Sequence, residues 1–189
     1  IVGFVAPFLE KKLPEGLNLI VGALAIAPLA RIIAIAVDPV VNSTLLNIGR
    51  MISAAAEQSP LIMGFLLGGI MKMICTSPLS SMALTAMLGL DGLAMGIAAI
   101  ACVGGSFTNG IIFDRLKLGE RSNVMAVMLE PLTQADIITQ NPIPIYGSNF
   151  FGGGLAGLAA AMLGIINNAP GTASPIPGLL APFGFNPPL

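Results

Sequence analysis

The segment from residue 61 to residue 90 constrains the fold more than any other part of this sequence. Its thirty residues carry a single charge, Lys72, and a polar stretch with a proline interrupts them at residues 76–81. Inside a lipid bilayer, irregular backbone persists only where protein or a water-filled cavity satisfies its polar groups, and a charged side chain there is costly. The segment therefore predicts part of a solute path through a membrane rather than a simple anchor.

The overall composition indicates a membrane protein. Hydrophobic residues make up 55% of the 189 residues and charged residues only 9%. A soluble domain carries about 25% charged residues, and a globule with so few charges cannot cover its surface with polar groups. We therefore expect one transmembrane domain over residues 1–189, all-α in class, folded as a polytopic bundle with broken or re-entrant helices.

The scarce residue types exclude several functions. The net charge of −1 provides no basic face for nucleic acid, and the chain has no histidine. Histidine is the commonest metal ligand and a frequent general base, so a zinc site, a Ser-His-Asp triad and a phosphohistidine carrier are not expected, and neither is a metal or cofactor. Cys75 and Cys102 lie in apolar runs, where two small buried side chains are more typical than a disulfide or a redox pair.

Three further apolar segments have about the 20 residues that a helix needs to cross a bilayer. They cover residues 17–37, 93–113 and 150–166. Residues 38–60 differ in kind, because apolar residues such as Leu45, Ile48 and Ile52 can share one helical face while most polar residues lie elsewhere. That pattern predicts either an interfacial amphipathic helix or an ordinary helical connector.

The placement of charge constrains the topology. Basic residues near spans prefer the cytoplasm, so the two basic loops, residues 10–15 and 114–121, should lie on the same side. An even number of crossings must then separate them, and the spans at 17–37 and 93–113 supply two. Residues 61–90 should therefore enter and return on one side as a re-entrant hairpin, although one long kinked span is the alternative.

The last third of the chain contains a second polar interruption. Residues 123–140 are apolar but become polar toward their end, and two prolines within residues 141–149 predict that no regular helix forms there. Farther on, Gly153 and Gly157 form a small-residue face suited to close helix packing. The proline-rich tail, residues 167–189, is too apolar for a solvated linker, and we expect it to fold back against the bundle.

The first candidate binding group is the interruption itself. Thr76, Ser77, Ser80 and Ser81 carry hydroxyls, and Lys72 precedes them by one helical turn. Hydroxyls around a broken helix can exchange hydrogen bonds with a polyol, and the exposed helix ends add oriented N–H and C=O groups. The alternative is that these hydroxyls only satisfy the backbone groups that the break sets free.

The second candidate group contains Glu130, Gln134, Asp136, Gln140 and Asn141. Carboxylate and amide groups can make paired hydrogen bonds to neighbouring sugar hydroxyls, and a carboxylate near a reacting hydroxyl can act as a base. Glu130 is the stronger candidate because it lies deeper in the apolar stretch. The alternative is that residues 129–141 form a solvated interfacial loop.

A third polar group lies near the end of the span at residues 93–113. It consists of Ser106, Thr108 and Asn109. Hydroxyl and amide side chains at such a position commonly satisfy helix-end backbone groups. We therefore expect caps there rather than ligands.

Several of these features resemble a known family. Residues 76–81 read Thr-Ser-Pro-Leu-Ser-Ser, and the apolar helix after them ends with Met-Leu-Gly-Leu at residues 87–90. This combination resembles membrane proteins related to the IIC permease subunit of the bacterial phosphoenolpyruvate:sugar phosphotransferase system. The Asn141-Pro142 pair, the glycine-rich last span and the Ala-Pro-Gly sequence at 169–171 are also similar, so the resemblance covers approximately residues 17–180.

The resemblance implies a domain organisation. Related proteins are usually about twice as long, so the chain is expected to be the C-terminal half of a longer permease. Residues 1–60 then supply a span and an amphipathic helix, and residues 61–189 supply the substrate-binding part.

The resemblance also implies a function. It implies a dimeric, multi-pass transporter in the lipid of the bacterial cytoplasmic membrane, taking up a sugar or polyol that a cytoplasmic IIB partner phosphorylates. In better-known permeases of this system an acidic residue near a broken hairpin binds the sugar hydroxyls, and Glu130 before Pro131 is similar. Those relatives often place a histidine near the reacting hydroxyl, and this chain has none. The phosphoryl donor group is therefore expected on the partner.

Two other functions stay open from the sequence. One is a membrane sensor that binds a small molecule and regulates a partner without transporting it. The other is a secondary transporter that uses Lys72 as a counter-charge for its solute.

Overall fold

The computed structural model describes the backbone of residues 17–187 and the side chains of residues 31–187, together with those of Leu24 and Pro28. Within these residues every regular element is a helix and there is no β-strand. The predicted all-α class is thereby confirmed. The predicted basic loop at residues 10–15 lies outside the described residues.

The described residues divide into two compact units, one that ends at residue 44 and one that begins at residue 45. The first described helix, α1 (Leu17–Gln58), contains Pro28 and Pro39 in its interior. The prediction of a span at 17–37 followed by a separate helix at 38–60 is therefore wrong about the boundary. A proline removes one backbone donor and bends a helix, but it does not have to end it.

The second unit contains the remaining helices. They are α2 (Pro60–Thr76), α3 (Ser81–Leu88), α4 (Gly92–Arg115), α5 (Arg121–Leu129), α6 (Ala135–Gln140), α7 (Pro142–Met162) and α8 (Pro175–Leu180), with 3-10 turns at Pro131–Gln134 and Ala181–Gly184. The most extensive packing joins α2, α4 and α7. In the part of α1 that belongs to this unit, Leu45 and Ile52 contact the core as the amphipathic pattern predicts, whereas Ile48 is exposed.

Among the described residues, two helices are long and apolar enough to cross a membrane, namely Arg31–Gln58 within α1 and Gly92–Arg115. The second is the span predicted at residues 93–113, extended by one residue at its start and two at its end. The apolar helix α2 has 17 residues and is shorter.

The predicted interruption after Thr76 is present. Residues 77–80 are not helical, and α3 begins at Ser81. The hydroxyl of Ser80 caps α3 by accepting a hydrogen bond from the backbone N–H of Ala83 at 3.1 Å, which satisfies one of the donors that a helix start leaves free. Gly89 ends α3 in the left-handed conformation, at a φ of 59°. A turn of this segment within the bilayer stays a prediction.

The predicted irregular stretch at residues 141–149 is wrong, because α7 begins at Pro142 and continues to Met162. Pro142 and Pro144 both lie in the first turn, where backbone N–H groups have no acceptor within the helix. Prolines there remove donors that have no intrahelical partner and pre-set the helical φ. The last long helix consequently starts eight residues earlier, and ends four residues earlier, than the span predicted at 150–166.

Helices α2 and α7 pack through glycines. A Cβ atom on Gly157 would lie 2.8 Å from the Cα of Gly68 and would overlap the carbonyl oxygen of Gly64. A Cβ on Gly153 would lie 2.7 Å from the carbonyl oxygen of Gly68. The small-residue face predicted at Gly153 and Gly157 is confirmed, and its partner is the Gly64 and Gly68 pair of α2, also four residues apart.

The tail folds back as predicted and contacts the start of α4. The backbone N–H of Asn167 donates to the carbonyl oxygen of Gly92 at 2.9 Å, and the N–H of Gly92 donates to the side chain of Asn168 at 3.0 Å. The hydroxyl of Ser81 donates to the carbonyl oxygen of Ala173 at 2.6 Å. These bonds tie the tail to both the α3 start and the α4 start.

Candidate functional site

A line of buried polar side chains crosses the centre of the second unit. It consists of Lys72 and Thr76 of α2, Asn109 of α4 and Asn149 of α7, all of them buried, and we call it the polar seam. Along α4 it falls between two apolar clusters, one of which includes the helix as far as Cys102, while the other begins at Ile112. Polar groups enclosed in this way must find partners inside the protein.

Hydrogen bonds link three of the four members across three helices. The amide nitrogen of Asn149 donates to the side-chain oxygen of Asn109, and the amide nitrogen of Asn109 donates to the hydroxyl of Thr76 at 3.3 Å. The same nitrogen of Asn149 also donates to the carbonyl oxygen of Ile145 at 2.8 Å. These bonds therefore fix the positions of α2, α4 and α7 along one another.

The side chain of Lys72 passes through a notch that two glycines create. A Cβ on Gly105 of α4 would overlap the methylene carbons of Lys72, and a Cβ on Gly153 of α7 would overlap its Cβ. No larger residue fits at either position without displacing this side chain. The bundle is thus shaped around a lysine, although a buried cation is costly.

Some hydrogen-bond donors and acceptors of the seam have no partner among the described residues. Within the described part of the chain, the Lys72 nitrogen makes one hydrogen bond, to the carbonyl oxygen of Cys102, at a long 3.5 Å. In the same part of the chain, no group donates a hydrogen bond to the buried side-chain oxygen of Asn149. An amine with free donor capacity and an amide oxygen with free acceptor capacity therefore lie in the same seam. Hydroxyl groups suit both atoms, since each hydroxyl donates one hydrogen bond and accepts others.

Glu130 lies at the edge of this region. Helix α5 returns along the end of α4, where a Cβ on Gly110 would lie 2.7 Å from the Cγ of Met128, so the residue that follows α5 reaches the level of the seam. Glu130 is exposed and follows Met128, which packs against Gly110 next to Asn109, by two residues.

The serines of the interruption bond to nearby backbone. The Ser77 hydroxyl donates to the carbonyl oxygen of Ile74 at 2.8 Å and accepts from the N–H of Leu79 at 3.1 Å. Ser80 caps α3, and the buried Ser81 bonds to the tail. Of the five residues predicted around this break, the structure places Lys72 and Thr76 in the seam and gives the three serines structural hydrogen bonds.

The second predicted group does not converge into one cluster. The Gln134 side chain accepts a hydrogen bond from Asn123 at 2.6 Å, and Asn141 donates to the carbonyl oxygen of Ile137 at 3.1 Å. Asp136 is exposed, as is Gln140. Glu130 is the member of this group that the structure brings near the seam.

Sequence reasoning did not assign the two asparagines to a site. Asn109 was expected to act as a cap and Asn149 fell in a stretch expected to be irregular, yet both are wholly buried and bonded to each other. A signal was available, because an amide within an Ala- and Gly-rich span needs a polar partner in another helix. Cys75 and Cys102 are free and buried, as predicted.

Comparison with known proteins gives one clear result. A family model described as "Phosphotransferase system, EIIC" matches residues 1–188. Searches of curated proteins and of solved structures gave no match.

Proposed function

Since the chain belongs to the EIIC family of the phosphotransferase system, and is thus a membrane permease subunit of that system, we propose that its polar seam binds the sugar or polyol that is taken up. The observation that carries this proposal is the buried, unpaired side-chain oxygen of Asn149 in a seam that also holds the under-paired amine of Lys72. Buried polar groups without partners are uncommon in folded proteins and need an explanation.

A polyol matches this pattern of free groups. One hydroxyl can donate to the Asn149 oxygen, and the same or a neighbouring hydroxyl can accept from the Lys72 nitrogen. Thr76 and Asn109 then hold the Asn149 side chain in place through the bonds that link the helices. Hydrogen bonds to these groups would replace the bonds to water that the solute loses when it leaves the aqueous phase.

Glu130 is proposed to receive the solute at the edge of the seam. Its carboxylate is exposed and can accept two hydrogen bonds from adjacent hydroxyls. Asn141 and Asp136, at either end of α6, are proposed as outer contacts on the same approach.

The phosphoryl group is proposed to come from a IIB partner on the cytoplasmic side. The seam lies toward the Arg115 end of α4, because Asn109 precedes Arg115 by six residues, about 9 Å of helical rise. The basic residues at that end favour a cytoplasmic position. A donor that approaches from the cytoplasm then has a short path to the solute, and no residue of this chain needs to carry the phosphate.

The helices that enclose the seam are proposed to move together as a rigid body. This movement would alternate the access of the solute to the seam. The close glycine contacts between α2 and α7 favour rigid motion of this pair, because packed backbones cannot slide independently without losing contact. Rigid-body rocking around a fixed site is a general solution for membrane transporters.

Replacing Glu130 tests the proposed entry contact. We expect Glu130→Gln to weaken the binding of radiolabelled sugar or polyol to the purified protein by about tenfold, which corresponds to ~1.4 kcal/mol, because the amide cannot accept hydrogen bonds as a charged carboxylate does. Asp38→Asn, which changes an exposed acid on α1 outside the site, should leave the affinity unchanged.

Unchanged affinity in Glu130→Gln would remove this residue from the site.

Uptake into vesicles separates the possible roles of the whole protein. A permease accumulates phosphorylated solute when a phosphoryl donor is present, whereas a sensor binds solute without flux. A secondary transporter would instead follow an ion gradient.

A further inference from the structure

A second polar pocket lies away from the seam, between α1 and the turn that joins α3 to α4. Its volume is about 370 Å³. The polar side chains that line it are Arg50, Ser53 and Glu57 from α1 and Asp91 from the turn. The proposed path of the solute does not use this pocket.

Close backbone packing builds the pocket. A Cβ on Gly49 would overlap the carbonyl oxygen of Leu88, so α1 lies directly against the end of α3 at this point. The left-handed Gly89 then turns the chain toward Asp91. The two sides of the pocket therefore belong to one packed unit, residues 45–189.

The pocket presents both signs of charge without pairing them. Within the described residues, the one side-chain hydrogen bond of Arg50 goes to Asn47 at 3.4 Å, and neither Glu57 nor Asp91 forms an ion pair with it. Among the described residues, the buried hydroxyl oxygen of Ser53 has no hydrogen-bond partner. A cation with spare donors, two carboxylates without an ion pair in the described part of the chain, and this hydroxyl thus line one space, which suits a ligand that carries an anion and an ammonium together.

The depth of the pocket indicates where such a ligand comes from. Helix α4 has 24 residues and is about 36 Å long, whereas the hydrocarbon core of a bilayer is about 30 Å thick. A helix of this length that crosses the bilayer extends beyond the hydrocarbon core, which would bring Gly92, and Asp91 directly before it, to the layer of lipid headgroups. Of the apolar residues that line the pocket, Leu46 and Ala54 of α1 are exposed and offer apolar surface to acyl chains.

We infer that this pocket binds the headgroup of a zwitterionic aminophospholipid. The phosphate accepts hydrogen bonds from the Arg50 guanidinium and the Ser53 hydroxyl, since the planar guanidinium matches two phosphate oxygens. The primary ammonium donates to Asp91 and Glu57. The acyl chains lie along the apolar residues of α1. Such a lipid ties α1 to the α3–α4 turn.

Native mass spectrometry of the full chain tests the inference. The detergent-purified protein is incubated with phosphatidylethanolamine, phosphatidylcholine or phosphatidylglycerol, and the bound lipid is counted. We expect phosphatidylethanolamine to bind at least tenfold more tightly than the other two. Phosphatidylcholine cannot donate hydrogen bonds to the carboxylates and phosphatidylglycerol has no ammonium.

Variants identify the groups that hold each part of the headgroup. Arg50→Gln should lower the affinity for phosphatidylethanolamine at least tenfold, and Asp91→Asn should abolish the preference over phosphatidylcholine. Arg31→Gln, on α1 and outside the pocket, serves as the matched control and should bind as the wild type does. If Arg50→Gln does not fold, Ser53→Ala serves in its place, with a several-fold loss expected.

Three results would overturn the inference. Equal retention of the three lipids would show that the protein does not recognise the charges of the headgroup. Wild-type lipid binding in a folded Arg50→Gln or Ser53→Ala variant would show that the pocket is not the binding site. Displacement of the lipid by soluble phosphoethanolamine at equal concentration would assign the pocket to a soluble zwitterion instead.

Discussion

Replacing Gly157 by alanine is expected to lower the free energy of unfolding by about 1–3 kcal/mol, the usual range for adding atoms to a packed interior. The new Cβ would lie 2.8 Å from the Cα of Gly68 and would overlap the backbone oxygen of Gly64. Backbone atoms cannot rotate away as a flexible side chain can, so α2 and α7 must separate. Van der Waals contact is the main attraction between helices in lipid, and the separation loses it along the whole interface.

The same substitution at Gly147 provides a control within the same helix. A Cβ at Gly147 meets no atom within 4 Å, and alanine favours the helical state by about 0.5–1 kcal/mol relative to glycine. Gly147→Ala should therefore be neutral or slightly stabilising. Unfolding in a detergent titration, followed by circular dichroism, compares the two variants, and equal stability of both would contradict the close packing of α2 on α7.

Replacing Lys72 by methionine is expected to separate solute binding from stability. Methionine keeps an unbranched apolar stem in the notch between Gly105 and Gly153, and it removes the nitrogen that makes the single long bond to Cys102. The variant also loses the proposed hydrogen bond from this nitrogen to the solute. A hydrogen bond from a charged group is worth about 1.5–3 kcal/mol, so solute affinity should fall about 10- to 100-fold. Stability should stay the same or rise, because a poorly paired buried charge contributes little to folding.

Two measurements distinguish this role from a structural one. Binding of labelled solute and detergent unfolding are measured on Lys72→Met and on Lys117→Met, which changes an exposed lysine in the loop after α4. The control should leave both quantities unchanged. If Lys72→Met unfolds more easily and binds solute as the wild type does, the lysine serves only the packing of the bundle.

The sequence predicted those features of the fold that depend on neighbouring residues. The apolar run at 93–113 became α4, and Pro78 with the capping hydroxyl of Ser80 ended one helix and started the next. The start of α7 was missed, since a proline opposes a helix in its interior and favours it in the first turn. Whether Pro142 lies in the first turn of a helix or in its interior depends on the residues that pack against that helix.

The polar seam was harder to predict because it depends on contacts that are distant in sequence. Asn149 and Asn109 are 40 residues apart and bond directly, and nothing near either residue identifies the other as its partner. Lys72 was singled out as an intramembrane charge, but the glycines that make room for it lie on two other helices. The apolar stretch around Glu130 predicts a buried position for its carboxylate, whereas the structure shows the residue exposed.

Removing the amide of Asn149, whose side-chain oxygen has no partner among the described residues, is the most direct test of solute binding at the polar seam. Purified wild-type protein, Asn149→Ala and Asn42→Ala are each titrated with a panel of radiolabelled sugars and polyols, with detergent unfolding as a check on the fold. We predict that at least one of these solutes binds the wild type and Asn42→Ala equally well, and that a folded Asn149→Ala binds it at least about tenfold more weakly, a loss of ~1.4 kcal/mol or more. Equal affinity for that solute in all three proteins would contradict binding at the polar seam.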